Sequence, residues 1–225
     1  MKILVSLPAY NESKVIGHVL EKMPKKINGN PVKILVVDDG SSDNTATIAL
    51  KKADIVLRHP INLGVGSALT TAFAYAKRKN YDILVTFDAD GQHEAKDIKR
   101  IVGILAAGKF DIVNGSRMLG RGNMPLTRLI INNFANIMIF LISGLWSSDS
   151  QSGLRGFNKK AIRCLELKTQ GMEISSEIVY QAKFNNLKYS EISIKAIYTK
   201  YSQIKGQKLS NAPNVLFKLF YRLIS

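Results

Sequence analysis

Short apolar runs alternate with amphipathic segments along the first half of the chain. The runs are rich in Val and Ile, which is typical of strands that are buried on both faces. They cover residues 3–7, 32–37, 55–57, 83–87 and 111–114. Three of the helices predicted between them cover residues 12–23, 66–79 and 95–107. A fourth helix follows Ser42 and Asp43, either of which can cap it, and ends near residue 52. Because strands and helices alternate, the pattern predicts an α/β fold with a mainly parallel sheet flanked by helices.

The alternation stops after Gly115. A loop rich in Gly and Arg leads to an apolar helix at 128–146 and a polar turn at 147–153. The elements predicted next are a strand at 154–157, a helix at 173–184, an alternating strand at 189–197 and an amphipathic tail at 215–224. Three asparagines interrupt the apolar helix, whereas a membrane span needs about 20 mostly apolar residues. We therefore expect this helix to be buried or to lie in a membrane interface.

The charge of the chain restricts the class of partner. The formal net charge is +15, and residues 195–222 contain five lysines, one arginine and no acidic residue. Such an excess favours nucleic acid, an anionic membrane or a phosphorylated substrate, unless the lysines only solubilise the surface. Aromatic residues make up 8% of the chain and no RNA-binding motif occurs, which disfavours a nucleic-acid-binding module. The single cysteine excludes an intrachain disulfide, as is usual in a reducing compartment.

Two carboxylates follow the predicted strand at 83–87. Asp88 and Asp90 are two residues apart, so they can face one point beyond the end of the strand. Ligands bind at the carboxyl ends of strands in open α/β sheets. With Gln92 close behind, this set of oxygen donors suits a divalent cation that bridges phosphates. The alternative is a polar turn, because Asp and Gly are common turn residues.

Polar motifs also follow the first two strands. The segment P-A-Y-N-E at 8–12 could bind a base or ribose, or could simply start a helix. In V-V-D-D-G-S-S-D at 36–43, Asp39 is better placed for a ligand, whereas Asp43 suits a helix cap. The segment N-L-G-V-G at 62–66 shapes a pocket or forms a tight turn. Neither a P-loop nor a G-x-G-x-x-G fingerprint is present.

Four motifs together resemble a known family. P-A-Y-N-E, V-D-D-G-S-S-D, N-x-G-x-G-x-A and D-A-D-G-Q-H, in this order, resemble the inverting family-2 glycosyltransferases of the GT-A fold. N-G-S-R at 114–117 and S-G-L-R-G-F at 152–157 resemble dolichyl-phosphate mannosyltransferases and related polyprenyl-phosphate glycosyltransferases, although Leu154 replaces the usual Phe. The likeness covers about residues 1–165. Residues 198–207 are similar to a subgroup of short polyprenyl-phosphate-type transferases.

The resemblance implies a role for individual residues. Asp88, Asp90 and Gln92 would bind Mg²⁺ or Mn²⁺. The nucleotide-sugar site would comprise Pro8, Tyr10, Glu12, Val37, Asp39, Ala89, Arg117 and Lys205. Arg117 would contact phosphate, and Lys205 would close over the diphosphate of the donor. The catalytic set would comprise Asp90, Arg117, Arg128 and Asp149.

Two acceptors remain open from the residues alone. A sugar hydroxyl needs a base, and Asp149 is the candidate, although it could equally orient an arginine or cap a turn. A lipid phosphate is already largely ionised at pH 7 and needs positioning by cations. The candidate cations are Arg117, Arg121, Arg128, Arg155 and the lysines of the tail.

The resemblance favours the phosphate acceptor and predicts how the chain is organised. We expect one catalytic domain, with a nucleotide-sugar-binding half at 1–117 and an acceptor half at 118–225. The enzyme would transfer a sugar with inversion from a GDP- or UDP-sugar to a polyprenyl phosphate, such as a dolichyl or undecaprenyl phosphate. It would work as a peripheral protein at the cytoplasmic face of a membrane, either by itself or through a small integral-membrane partner.

Overall fold

The structure, a computed structural model, describes residues 1–120, 126–195 and 197. Its strands are β1 (Ile3–Ala9), β2 (Lys26–Ile27), β3 (Asn30–Asp38), β4 (Ile55–Arg58), β5 (Ile83–Thr86), β6 (Ile112–Ser116), β7 (Arg155–Asn158) and β8 (Tyr189–Ser193). Its helices are α1 (Ile16–Glu21), α2 (Thr45–Lys52), α3 (Val65–Arg78), α4 (Lys96–Ala106), α5 (Leu126–Ser143), α6 (Lys159–Cys164) and α7 (Ile174–Phe184). Within these residues, no helix is long and apolar enough to cross a membrane.

The strands form one mixed sheet in the order β2-β3-β1-β5-β7-β6-β8, with β4 also paired to β3. The pairs β1–β3, β1–β5, β3–β4 and β6–β8 are parallel. Strand β7 lies antiparallel between β5 and β6, which joins the two parts of the chain into one sheet. The predicted α/β fold with a mainly parallel sheet is therefore confirmed, whereas β2, α6 and the direction of β7 were not predicted.

The core lies on both faces of this sheet, because successive side chains of a strand point to opposite faces. Ile3, Val5 and Leu7 of β1 belong to one apolar cluster, and Leu4 belongs to the cluster on the other face. Gly156 of β7 allows α4 to pack closely, since a Cβ there would lie 2.2 Å from Ile101 Cγ2.

Several boundaries differ from the prediction. Helix α1 begins at Ile16 rather than near residue 12, because Asn11 has a left-handed φ of 53° and residues 12–15 form a turn. Helix α5 ends at Ser143, where Gly144 has a φ of +68°. Strand β8 ends at Ser193 rather than at residue 197. The predicted amphipathic tail lies outside the described residues.

Candidate active site

Two motifs meet at the carboxyl ends of β1 and β3, where hydrogen bonds fasten their loops together. The amide of Asn11 donates to Ser41 Oγ at 2.9 Å, and Asn11 Oδ1 accepts from the Ser42 amide at 2.9 Å. The amide of Glu12 donates to Thr45 Oγ1 at 2.7 Å. Segments about 30 residues apart in sequence thus form a single rim beside the sheet.

Asp43 supports this rim from the start of α2. Its carboxylate accepts hydrogen bonds from the amides of Thr45 at 2.9 Å and Ser13 at 3.1 Å. Burial raises the pKa of Asp43, but hydrogen bonds from Thr45 and Ser13 outweigh this and lower it to about 2. The N-cap residue of α2 is Asn44, so Asp43 is not the N-cap that the sequence predicted, although it accepts from the amide of Thr45, the first residue of the helix.

Asp39 is buried inside the same rim. Oδ1 accepts hydrogen bonds from His59 Nδ1 at 2.7 Å and the Leu63 amide at 3.0 Å, and Oδ2 accepts one from the Gly64 amide at 2.8 Å. The N-x-G-x-G motif therefore does more than start α3. Its Gly66 amide also donates to the Gln170 carbonyl at 2.7 Å, which ties this turn to the segment before α7.

Asp88 leads the carboxylate pair that follows β5. Its Oδ2 accepts a hydrogen bond from the buried ring of His93, at 3.0 Å from Nε2. Burial raises the pKa of Asp88, but His93, Arg117 and Arg155 outweigh this and lower it. Gly153 lies so close that a Cβ there would be 2.1 Å from both carboxylate oxygens.

Asp90 is held by its own loop. The amide of Gln92 donates to Asp90 Oδ1 at 2.9 Å, and Gln92 Nε2 donates to Oδ2 at 2.5 Å. Burial and the charge of Asp88 raise the pKa of Asp90 to about 6. The pair therefore carries more negative charge than its surroundings neutralise, which suits a bound cation.

The side chains near Asp88 and Asp90 offer too few ligands to hold a metal ion without other molecules. Among the described residues, no group of three or more His, Cys, Asp or Glu side chains could hold a metal ion. A cation at Asp88 and Asp90 would thus need oxygen ligands from a substrate. Hard carboxylates with few protein ligands are what Mg²⁺ and Mn²⁺ bound to phosphates require.

Arg117 forms a bidentate ion pair with Asp149. Its Nε and Nη2 donate to Asp149 Oδ2 at 2.7 Å and Oδ1 at 2.8 Å, and its amide also donates to Oδ2 at 2.9 Å. Asp149 is fully buried, so both of its oxygens are occupied in a dry environment. In this geometry Asp149 orients an arginine, one of the roles that the sequence left open. The positive charge of Arg117 also acts on Asp88.

Arg155 is buried beneath the site and does not face solvent. It is buried in β7, where its Nε donates to Asn114 Oδ1 at 3.0 Å and its Nη2 donates to the Ser150 carbonyl at 2.5 Å. Asn114 in turn donates to Glu191 Oε1 at 2.9 Å. The sequence suggested Arg155 as a cation for a lipid phosphate. Because β7 lies inside the sheet, Arg155 is not accessible for this role.

The other predicted residues are placed as follows. Tyr10 is 42% exposed on the rim, whereas Val37 and Ala89 are buried in the core and can offer only main-chain atoms. Pro8 lies in β1, opposite Val37. Arg128 belongs to the first turn of α5, and Lys205 and Arg121 lie outside the described residues. The Ile197 amide donates to the Gln92 carbonyl at 2.9 Å, so the chain passes the carboxylate loop before its basic tail.

Sequence reasoning missed the roles of His59, His93 and Glu191. His93 stands within the D-A-D-G-Q-H motif, which was a usable signal. The other two residues contact partners at least 12 positions away, and no local pattern marks them.

Comparison with known proteins assigns the fold and motifs to a family. The profile of glycosyl transferase family 2 matches residues 5–166. The chain belongs to this family. It is 37% identical to the UDP-N-acetylglucosamine–dolichyl-phosphate N-acetylglucosaminyltransferase of Methanococcus voltae, over 99% of this chain and 94% of the relative. It is also 30% identical to the polyprenol monophosphomannose synthase of Mycolicibacterium smegmatis, over 86% of this chain and 76% of the relative. The predicted resemblance to polyprenyl-phosphate glycosyltransferases is confirmed.

Solved structures of glycosyltransferases share the architecture. Glucosyl-3-phosphoglycerate synthase from Mycobacterium tuberculosis, solved with Mn²⁺ and UDP-glucose, matches with a TM-score of 0.73 at 18% identity. The match covers 97% of this chain and 76% of the synthase. It confirms the GT-A fold that the motifs implied for this family-2 glycosyltransferase.

Proposed function

We propose that this glycosyltransferase moves a sugar from a nucleotide sugar to a polyprenyl phosphate, with inversion, at the cytoplasmic face of a membrane. Relatives at 37% and 30% identity are named for transfer to dolichyl phosphate and for polyprenol monophosphomannose synthesis. The observation that carries the choice of acceptor is the bidentate pairing of Asp149 with Arg117. An occupied carboxylate is a poor general base, and a phosphate acceptor needs none.

Asp88, Asp90 and Gln92 would hold Mg²⁺ or Mn²⁺ together with the diphosphate of the donor, and the Gln92 side chain also donates to Asp90. When bound, the ion supplies Lewis-acid stabilisation of the charge that develops on the departing nucleoside diphosphate. The rim formed by Tyr10, Glu12 and Asp39 would bind the nucleoside. His93 and Gly153 keep Asp88 in place through the contacts described above.

In the transfer step, an oxygen of the lipid phosphate attacks the anomeric carbon on the face opposite the leaving group. The new carbon–oxygen bond forms while the bond to the diphosphate breaks, so the configuration inverts and the nucleoside diphosphate leaves with the electron pair. Arg117 would bind phosphate through its planar guanidinium, and Asp149 fixes the orientation of that plane. Arg128 and Lys205 stay predictions for phosphate binding.

Helix α5 supports a membrane location, because most of its exposed side chains are apolar. Asn136 faces inward and is buried, donating to the Ser148 carbonyl at 2.6 Å and accepting from the Ser150 amide at 3.0 Å. Asn133 is exposed, but most of the exposed side chains of the described part of α5 are apolar: Ile130, Phe134, Ile137, Phe140 and Leu141. An apolar face of this kind is stable against the hydrocarbon of a membrane interface. A small integral-membrane partner is a further prediction.

A transfer assay tests the reaction. Full-length protein, Mn²⁺ or Mg²⁺, a panel of UDP- and GDP-sugars and a polyprenyl phosphate should give a metal-dependent glycolipid, and Asp90→Ala should abolish it. Asp82→Ala is the matched control, since Asp82 immediately precedes β5, at the end of the strand opposite to Asp90. Nucleotide-sugar binding without a lipid-phosphate product, but with a product on a sugar hydroxyl, would overturn the choice of acceptor.

Vesicle sedimentation tests the membrane surface. Leu141 is 70% exposed, so Leu141→Glu should leave thermal stability unchanged while it lowers binding to vesicles of anionic phospholipid. Leu50→Glu is the matched control, because Leu50 is 69% exposed but lies on α2. Equal vesicle binding by both variants and the wild type would contradict this location for α5.

A further inference from the structure

Three neighbouring strands carry a row of polar side chains that the transfer step above does not use. Arg155 of β7 is paired in register with Asn114 of β6, and Asn114 is paired with Glu191 of β8. Arg155 and Asn114 are buried, so their polar atoms need partners inside the protein. The row reaches the turn that carries Asp149, because Asn114 Nδ2 donates to the Asp149 carbonyl at 3.0 Å.

The Asn114 side chain has only one satisfactory orientation. Its Oδ1 accepts a hydrogen bond from Arg155 Nε at 3.0 Å, and because arginine can only donate, the amide oxygen must face it. The two hydrogens of Nδ2 then go to the Asp149 carbonyl and to Glu191 Oε1, at 2.9 Å from the latter. Asn114 therefore always presents a donor to Glu191.

The Glu191 carboxylate accepts as many hydrogen bonds as an ionised carboxylate can, about two on each oxygen. Oε1 accepts from Asn114 Nδ2 and from Ser147 Oγ at 2.8 Å. Oε2 accepts from the Ser148 amide at 2.9 Å and from Ser148 Oγ at 2.7 Å. Since this carboxylate has no hydrogen to give, both serine hydroxyls must donate to it.

The direction of these bonds extends to the turn around Arg117. Ser148 Oγ gives its hydrogen to Glu191, so Ser116 must donate to Ser148 Oγ across 2.6 Å. Ser116 Oγ then accepts from the amides of residues 118 and 119, both at 3.2 Å. Arg117 lies between these anchored positions, so the chain that starts at Glu191 holds its backbone on both sides.

We infer that Glu191 is a positioning residue for phosphate binding, because it fixes the backbone of both Arg117 and its partner Asp149. The inference rests on the proposed function, in which Arg117 binds phosphate. A planar guanidinium binds phosphate well only in the correct orientation, and Asp149 sets that orientation. Glu191 acts on the phosphate only through this pair.

Glu191→Gln tests the inference with little change of shape, because it turns one carboxylate oxygen into a donor. Each oxygen already faces a group that can only donate, so the new NH₂ must meet either Asn114 Nδ2 or the Ser148 amide. This conflict should displace the turn and the plane of Arg117. Charge alone predicts the opposite result, since loss of a nearby negative charge favours anion binding.

Calorimetric titration of the full-length protein with inorganic pyrophosphate in the presence of Mn²⁺ measures the effect and does not need the transfer reaction. Glu191→Gln should weaken pyrophosphate binding by at least about tenfold, which is about one hydrogen bond to a charged group. Glu166→Gln is the matched control, because Glu166 is exposed between α6 and α7, and it should leave the affinity unchanged. Unchanged or tighter binding by folded Glu191→Gln protein would overturn the inference, and so would a wild type that binds no pyrophosphate.

A double-variant cycle separates positioning from a general loss of structure. In an Arg117→Ala background, Glu191→Gln should weaken binding by less than about threefold, because the group that it positions is gone. Fully additive effects would contradict the inference. If Glu191→Gln does not fold, Ser116→Ala cuts the same chain further along and should weaken binding by about threefold, and unchanged binding would count against the chain. Should the cycle hold while no sugar reaches a polyprenyl phosphate, the proposed function alone fails, so the two failures are distinguishable.

Discussion

Replacing Asp149 tests whether the buried ion pair is the element that positions Arg117. Asp149→Ala removes the three hydrogen bonds that Arg117 donates to the Asp149 carboxylate. Breaking a buried pair by removing one member destabilises a protein by about 3–5 kcal/mol. The Arg117 side chain is 16% exposed, so water relieves part of this loss, and we expect a value near the lower end, about 3 kcal/mol.

Thermal unfolding measures the effect. For a domain of this size, about 3 kcal/mol corresponds to a fall in Tm of roughly 6–12 °C. Arg117→Ala should lower Tm by a comparable amount, because it removes the ion-pair partner of the buried Asp149 carboxylate. The double variant should be less destabilised than the sum of the two by about 2 kcal/mol, since contacting residues are coupled.

A matched control uses the exposed pair between Asp82 and Lys159, whose side chains are 37% and 39% exposed. Breaking an exposed pair changes stability by about 0–1 kcal/mol. If the effects of Arg117→Ala and Asp149→Ala simply add, or if Asp149→Ala is no worse than Lys159→Ala, the argument for the buried pair is refuted.

Three further predictions concern the carboxylate pair. The pKa of Asp90 is raised to about 6, so Mn²⁺ affinity should fall by about fivefold from pH 6 to pH 5, and a flat titration would contradict this. Because the folded pKa lies above the ordinary value of 3.8, the stability from this group is full below about pH 4 and is lost as the pH rises through about 6. Without metal, Asp90→Asn should therefore raise Tm at pH 7.5 and change it little near pH 4. Gly153→Ala would place a Cβ 2.1 Å from the Asp88 oxygens, so transfer should fall by at least about tenfold. Gly103→Ala, where a Cβ meets nothing within 4 Å, should leave transfer unchanged, and equal activities of the two variants would count against the role of Gly153.

The sequence by itself determined the parts of this protein that depend on local pattern. The runs of β1, β3 and β5 consist mainly of Ile, Leu and Val, with few polar residues such as Ser6, Lys33 and Thr86, and this composition favours buried strands. Their polar C-terminal motifs had to meet at one edge, because parallel strands align their carboxyl ends. The position of Asp88 and Asp90 beyond β5 followed from these two facts.

Tertiary structure alone decided which of these side chains pair. Asp149 meets Arg117 across 32 residues and Asp39 meets His59 across 20, and many other pairings would satisfy the same sequence pattern. The insertion of β7 between β5 and β6 buried Arg155, although the sequence had made it a candidate cation for a lipid phosphate. Helix α5 likewise had an apolar composition in the sequence, but only packing against the 147–150 turn placed Asn136 inside and left five apolar side chains exposed. Such choices depend on the free energy of the whole packed chain, in which contacts between distant residues outweigh local preference.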